Sequence, residues 1–341
     1  MKQATMTSPG EIEISEVAAP SELNDHEVLI HIKKIGVCGS DIHVYHGKHP
    51  FTPFPVIQGH EYSGEVVAIG KQVLKAKIGD KVTGRPQIVC GSCGPCISGN
   101  YNVCASLKVE GFQAPGVARD YFVLPEDRLY VVEPKVSFDE IALIEPAAVA
   151  AHATAKIKDI HLKNVVVTGA GPIGNLIAQF AAIRGAKRII VTDFNQFRLD
   201  LLASVGIRDT INLSNESFQE GLKRILGAEA FQVGIEAVGV ESALHNLTDH
   251  IEKGGEVIIV GVYEEHPRIN MGFVGEHELK VNGSMMYRDE DYAEALDFLS
   301  KEKLKLKPLI TNRFDFKDYK KAYEFIDAHG GETLKVLIDV N

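Results

Sequence analysis

Val165-Val166-Val167-Thr168-Gly169-Ala170-Gly171-Pro172-Ile173-Gly174 is the stretch on which the fold turns. Residues 161–168 read as a buried strand that feeds a G-x-G-x-x-G turn, and the apolar run 175–184 reads as the helix that follows. In that context the first glycine makes the turn, Gly171 lets the backbone approach a pyrophosphate, and Gly174 permits close helix–strand packing. Pro172 and Ile173 complete the turn. No charge interrupts residues 164–183, yet Gly169, Gly171, Pro172 and Gly174 break the run, so it reads as strand, turn and helix rather than a membrane span.

The next strand-like run, 187–192, ends at Asp193, where an acid suits the ribose 2′-hydroxyl of NAD and repels the 2′-phosphate of NADP. Apolar strands at 231–237, 256–262 and 279–284, separated by helical stretches, continue a doubly wound α/β pattern. The chain has 341 residues, enough for two domains, and its 45% hydrophobic and 24% charged composition is that of a folded protein. A net charge of −10 is the wrong sign for neutralising phosphates, which argues against nucleic acid. The N-terminal residues 1–10 lack the apolar core of a secretion signal, so a cytoplasmic location away from any membrane is expected.

Upstream lies different chemistry. Cys90, Cys93, Cys96 and Cys104 form a C-x2-C-x2-C-x7-C pattern among small residues that let a backbone wrap around one ion. Two disulfides would conflict with the missing signal and the odd fifth thiol, and an iron–sulfur site would need a closer fourth cysteine. A closed structural zinc site is the expectation. The fifth thiol, Cys38, sits in Gly36-Val37-Cys38-Gly39-Ser40-Asp41-Ile42-His43, and Gly59-His60-Glu61 follows. Together they offer thiolate, imidazole and carboxylate, a set that suits zinc with an open position.

These motifs, with residues 61–70, Gly79-Asp80-Lys81-Val82 and the glycine turn, resemble the zinc-dependent medium-chain dehydrogenases over nearly the whole chain. Residues 144–153, Ile144-Glu145-Pro146 onward, resemble the sorbitol and polyol branch. The resemblance implies a GroES-like β-rich catalytic domain over 1–146 and 285–341, with helical runs at 292–299 and 319–328, around an NAD-binding Rossmann domain over 147–284. It implies two zinc ions per chain, an active site in the cleft between domains, and a homodimer or homotetramer. Cys38, His60 and Glu61 are the implied ligands of the catalytic zinc, with Glu145 bound directly or through water; which carboxylate binds first stays open at this stage. On residues alone, Glu145 also reads as a helix-start acid.

The resemblance further implies Ser40 as a proton relay, His43 as the base that exchanges with solvent, and Asp41 behind His60, orienting it. Arg198, Val260 and Val262 join the cofactor-binding residues. The expected activity is hydride transfer between NAD and a polyol or other secondary alcohol, including a sugar alcohol, inositol or polyol phosphate. A zinc-free reductase of the same superfamily and a non-catalytic NAD-binding relative are the alternatives. His46, Lys48 and His49 fall where a pocket wall could be, although a solvated loop is the simpler reading; Arg119 and Arg288 are candidate substrate contacts, with surface arginine as the default.

Overall fold

The computed structural model describes residues 1–340 and resolves them into two compact units. Residues 1–145, with those from 309 onward, form the first; Pro146–Pro308 forms the second.

In the first unit the long strand Glu27–Val37 alternates buried positions at Val28, Ile30, Ile32 and Ile35, the period that one covered face demands. It pairs antiparallel with Glu61–Ile69, Tyr121–Pro125 and Lys335–Asp339. The sheet runs on from Glu61–Ile69 through Lys81–Gly84 to Leu129–Val132, and from Lys335–Asp339 to the parallel strand Ile310–Asp315. Its core gathers Ile30, Ile32, Tyr62, Val66 and Ile338, with Tyr319 and Tyr323 from the helix Tyr319–His329. This sheet places the end of Glu27–Val37, which runs into Cys38, beside the start of Glu61–Ile69, with Gly36 opposite Glu61. A Cβ on Gly36 would collide with the Glu61 carboxylate, so that position demands glycine.

The second unit is a six-stranded parallel sheet. In space the order is Asp209–Asn212, Arg188–Asp193, Asn164–Thr168, Val233–Glu236, Glu256–Ile259, Lys280–Gly283. Numbered within the unit, this is 3-2-1-4-5-6, the doubly wound order whose switch point lies beside the first strand. Asn164–Thr168 is buried throughout, as a central parallel strand must be, and Val166, Ile190, Ile211, Leu247 and Val257 share one core cluster.

The unit boundary falls later than the expected Ser284. Helix Asp289–Ser300 belongs with the second unit because its side chains are satisfied there: Asp291 pairs with buried His152 at 2.7 Å, Glu294 with Arg184 at 2.6 Å, and Phe298 lies against Phe180. Gln179 also exchanges hydrogen bonds with the Lys305 backbone. Among the described residues, no helix is long and apolar enough to cross a membrane.

Candidate metal centres and cofactor site

Cys38, His60 and Glu61 come together in the first unit, with one ligand atom of each within 4.8 Å of the others. Cys38 precedes the helix Gly39–Tyr45, and its backbone N–H donates to the Asp41 carboxylate at 3.0 Å. The other Asp41 oxygen lies 3.5 Å from His60 Nδ1, an ion-pair distance outside hydrogen-bond geometry, so Nε2 is the nitrogen left for a metal. Burial opposes a charge on His60, but Asp41 and then Cys38 outweigh it and hold the imidazole well above its usual pKa. A thiolate, an imidazole and a carboxylate in one buried cluster are a donor set that fits zinc with an open position.

Glu61 has a partner that the sequence did not reveal. Lys335 Nζ donates to both Glu61 oxygens at 2.7 Å and to the Val37 carbonyl at 3.2 Å, and both side chains are buried. Burial pushes Lys335 down, yet the charge of Glu61, then Cys38 and Glu145, raises it overall, so it is an ammonium ion. Glu145 stands outside the three-residue set. It occupies the first turn of the helix Ile144–Ala155, where a carboxylate complements the helix dipole, and its charge reaches Lys335. A carboxylate bound through water, one of the two places expected for Glu145, needs no place in that set.

The four remaining cysteines converge as the spacing foretold. Sulfur–sulfur distances of 3.6 Å (Cys90–Cys104), 3.9 Å (Cys93–Cys104) and 4.0 Å (Cys90–Cys96) bracket the roughly 3.8 Å edge of a tetrahedron with Zn–S near 2.3 Å. Backbone N–H groups of Cys90 and Ala105 point at Cys104 and Cys93 sulfurs. The backbone N–H groups of Ser92 and Cys93 pull Cys90 down to about 5, whereas burial and the neighbouring thiols push Cys96 up to about 12. None of the five cysteines is in a disulfide.

In the second unit the glycine turn is built as its spacing requires. Gly169 has φ +93, and a Cβ on Gly174 would strike the Gly169 carbonyl oxygen. At Gly171 a Cβ would meet nothing within 4 Å, which leaves the backbone open at the N-terminus of the helix Pro172–Ile183, where a pyrophosphate fits. Asp193 ends its strand with one carboxylate oxygen on the Ala170 N–H at 2.7 Å and the other on the Asn195 N–H at 2.9 Å. Each oxygen retains a lone pair for a ribose hydroxyl.

Residues 24–134 match the family model of the alcohol dehydrogenase GroES-like domain, and residues 172–301 match that of the zinc-binding dehydrogenase. The L-threonine 3-dehydrogenase of Cronobacter sakazakii is 32% identical over 344 residues, covering 99% of both chains. This chain belongs to the zinc-dependent medium-chain dehydrogenase superfamily. Among solved structures, galactitol-1-phosphate dehydrogenase from Escherichia coli superposes with a TM-score of 0.92 at 28% identity, covering 99% of this chain and 100% of that one. A short chain alcohol dehydrogenase from E. coli CFT073 in complex with NADH superposes with a TM-score of 0.92 at 29% identity, covering 99% of each. The dehydrogenase is an oxidoreductase of alcohols, with zinc and a nicotinamide dinucleotide as its cofactors.

The other expected residues fall in several places. Ser40 and His43 lie on one face of the dehydrogenase's Gly39–Tyr45 helix, both half-buried. Val260 is half-buried and Val262 exposed, and the Arg198 N–H caps its own helix on Asn195. His46 is held by Asp327 at 2.9 Å, and Lys48 is exposed, but His49 packs inward. Arg119 is largely buried near Glu110 and over the Phe122 ring, not on the surface; Arg288 caps the helix Asp289–Ser300 and pairs with Glu290. Glu236 escaped sequence reading altogether. It is fully buried and accepts the Val238 and Gly239 N–H groups at 2.8 Å each, while a Cβ on Gly261 would collide with its second oxygen. A lone acid closing an apolar strand was the available signal.

Proposed function

We propose that this dehydrogenase transfers a hydride from a secondary alcohol bearing further oxygen groups, a polyol or hydroxy acid, to NAD, with the Cys38–His60–Glu61 centre as its catalytic zinc site. The convergence of these three ligands at the start of the helix carrying Ser40 and His43 is the observation that carries the reading. A zinc ion held there supplies Lewis acidity that eases proton loss from the alcohol.

The chain's own residues do the rest. Cys38 and His60 Nε2 fix the ion's position, and Asp41 keeps the His60 ring oriented through Nδ1. Lys335 neutralises Glu61, so the ligand set carries less net negative charge and withdraws less of the ion's Lewis acidity. Ser40 accepts the alcohol proton at its hydroxyl oxygen as its own proton moves to His43, which releases a proton to solvent, a role that suits a half-buried imidazole. Cys90, Cys93, Cys96 and Cys104 bind a second, structural zinc. Gly169, Gly171, Pro172, Ile173 and Gly174 cradle the pyrophosphate, Asp193 selects NAD over NADP at the ribose, and Val260 and Val262 border the nicotinamide end. A homodimer or homotetramer is the proposed assembly, which a monomer mass by light scattering would contradict.

The test follows NADH absorbance with zinc-replete protein and a panel of alditols, hydroxy acids, L-threonine, polyol phosphates and simple secondary alcohols. Turnover that is lost in Cys38→Ser supports the reading; bound NAD and two zinc ions without turnover of any alcohol would overturn it. His43→Gln should lower turnover near neutral pH and leave zinc content intact.

A further inference from the structure

In the 46–49 loop, where Asp327 holds His46, His49 is fixed by a ring contact. Its ring lies against Phe112, with centroids 4.9 Å apart and planes 33° from parallel, and Phe112 also contacts the His60 ring, 5.1 Å away. Phe112 is buried and touches both rings. Thr52 Oγ1 sits 2.7 Å from His49 Nδ1, and Gln113 donates to the Phe51 carbonyl, pinning the loop to the turn that carries Phe112. His49 Nε2 has no hydrogen-bond partner among the described residues and is not sealed from solvent. Burial, then the proximity of His43, lowers the His49 pKa and keeps the ring neutral near pH 7. We assign the Nε2–H tautomer, in which the Thr52 hydroxyl donates to Nδ1 and Nε2–H remains as a single oriented donor.

We propose that His49 is a specificity-determining residue whose Nε2–H reads a second oxygen, hydroxyl or carboxylate, on the alcohol substrate, a few bonds from the carbon that is oxidised. The proposal rests on the secondary-alcohol reading above. The two ring contacts place the His49 ring no more than about 10 Å from the His60 ring, within reach of a substrate that extends a few carbons past the metal. A simple monoalcohol has nothing to offer a donor at that distance. An oriented donor left unpaired by such a substrate is how a site discriminates against the analogue that lacks the group.

The experiment has an arm that does not depend on turnover. Zinc-loaded protein with NADH is treated with diethyl pyrocarbonate, and carbethoxylation of the peptide carrying His49 is timed by mass spectrometry with 2,3-butanediol, glucitol, L-threonine or 2-butanol present. The proposal expects at least one of the first three to slow labelling of His49 about fivefold or more while 2-butanol does not. No protection by any of them overturns it. In the second arm, His49→Asn, which keeps a partner for Thr52 but loses the Nε2 donor, should lose kcat/KM for the protecting probe about tenfold more than for 2-butanol. His49→Gln, whose amide nitrogen reaches the Nε2 position, should recover part of that loss. Equal losses on both substrates would assign His49 a structural role and refute the proposal. Absence of NADH formation from every alcohol refutes the secondary-alcohol reading instead, and the labelling arm still decides whether His49 meets the oxygenated probes.

Discussion

Replacing Lys335 by Met isolates the ion pair behind the metal centre. Lys335 and Glu61 side chains are 3% and 1% exposed, and the ammonium holds both carboxylate oxygens at 2.7 Å. Removing the lysine leaves a buried carboxylate without its counter-charge, a change that costs about 3–5 kcal/mol. At about 2–4 °C per kcal/mol for a domain of this size, the melting temperature should fall roughly 6–20 °C. The decisive assay is a double-mutant cycle in thermal unfolding of protein with no metal at the Cys38–His60–Glu61 site, since an ion on Glu61 would itself supply the counter-charge, with Glu61→Gln introduced into both backgrounds. In the Lys335→Met background Glu61→Gln should be stabilising, because it removes the stranded charge; in the wild type it should be destabilising, because it leaves the ammonium unpaired. A further loss of stability on adding Glu61→Gln to Lys335→Met, or a single-mutant loss below about 1 kcal/mol, would refute the reasoning.

Other outcomes follow from the same structure. Asp193→Ala should raise KM for NAD and shift the NADP/NAD ratio of kcat/KM upward by about tenfold or more, and an unchanged ratio would remove Asp193 from cofactor choice. His26 and Glu126 form an exposed pair at 2.8 Å, with Glu126 also accepting the Leu74 and Lys75 N–H groups. The His26 hydrogen bond and these N–H groups pull Glu126 down to about 2, so its contribution is full above 4.5 and is lost as pH falls towards 2. Glu126 raises His26, whose contribution is full below 6.5 and is lost as pH rises through its elevated value. The melting-temperature cost of His26→Ala should therefore be largest between about pH 4.5 and 6.5 and shrink once pH passes the elevated His26 value; a cost independent of pH would contradict the pairing.

What the sequence disclosed was what lies close along the chain. The glycine turn and the four-cysteine lobe each span about fifteen residues or fewer, and the turn's glycines are needed by sterics that operate within the turn itself. Cys38, His60 and Glu61 could be joined by the chemistry of their donor set, and the resemblance then strengthened that pairing. Lys335 was illegible, since its partner is 274 residues away and a lysine in a C-terminal strand reads as a surface cation. The boundary after Pro308 was hidden for the same reason: His152–Asp291 and Arg184–Glu294 are tertiary pairs 139 and 110 residues apart, with no local signature. His49 looked like part of a polar loop because its neighbours His46, Gly47 and Lys48 are exposed; its stacking on Phe112 is set by how two distant segments meet. Glu145 could not be assigned from sequence because the helix start it occupies suits a carboxylate with or without a metal nearby.

The central claim is that Cys38, His60 and Glu61 hold a catalytic zinc separate from the four-cysteine ion, and metal content per chain tests it most directly. Elemental analysis of the purified protein should find two zinc ions per chain in the wild type and one in Cys38→Ser, with NAD binding unchanged between them. One zinc in the wild type, or two retained in Cys38→Ser, would contradict the account.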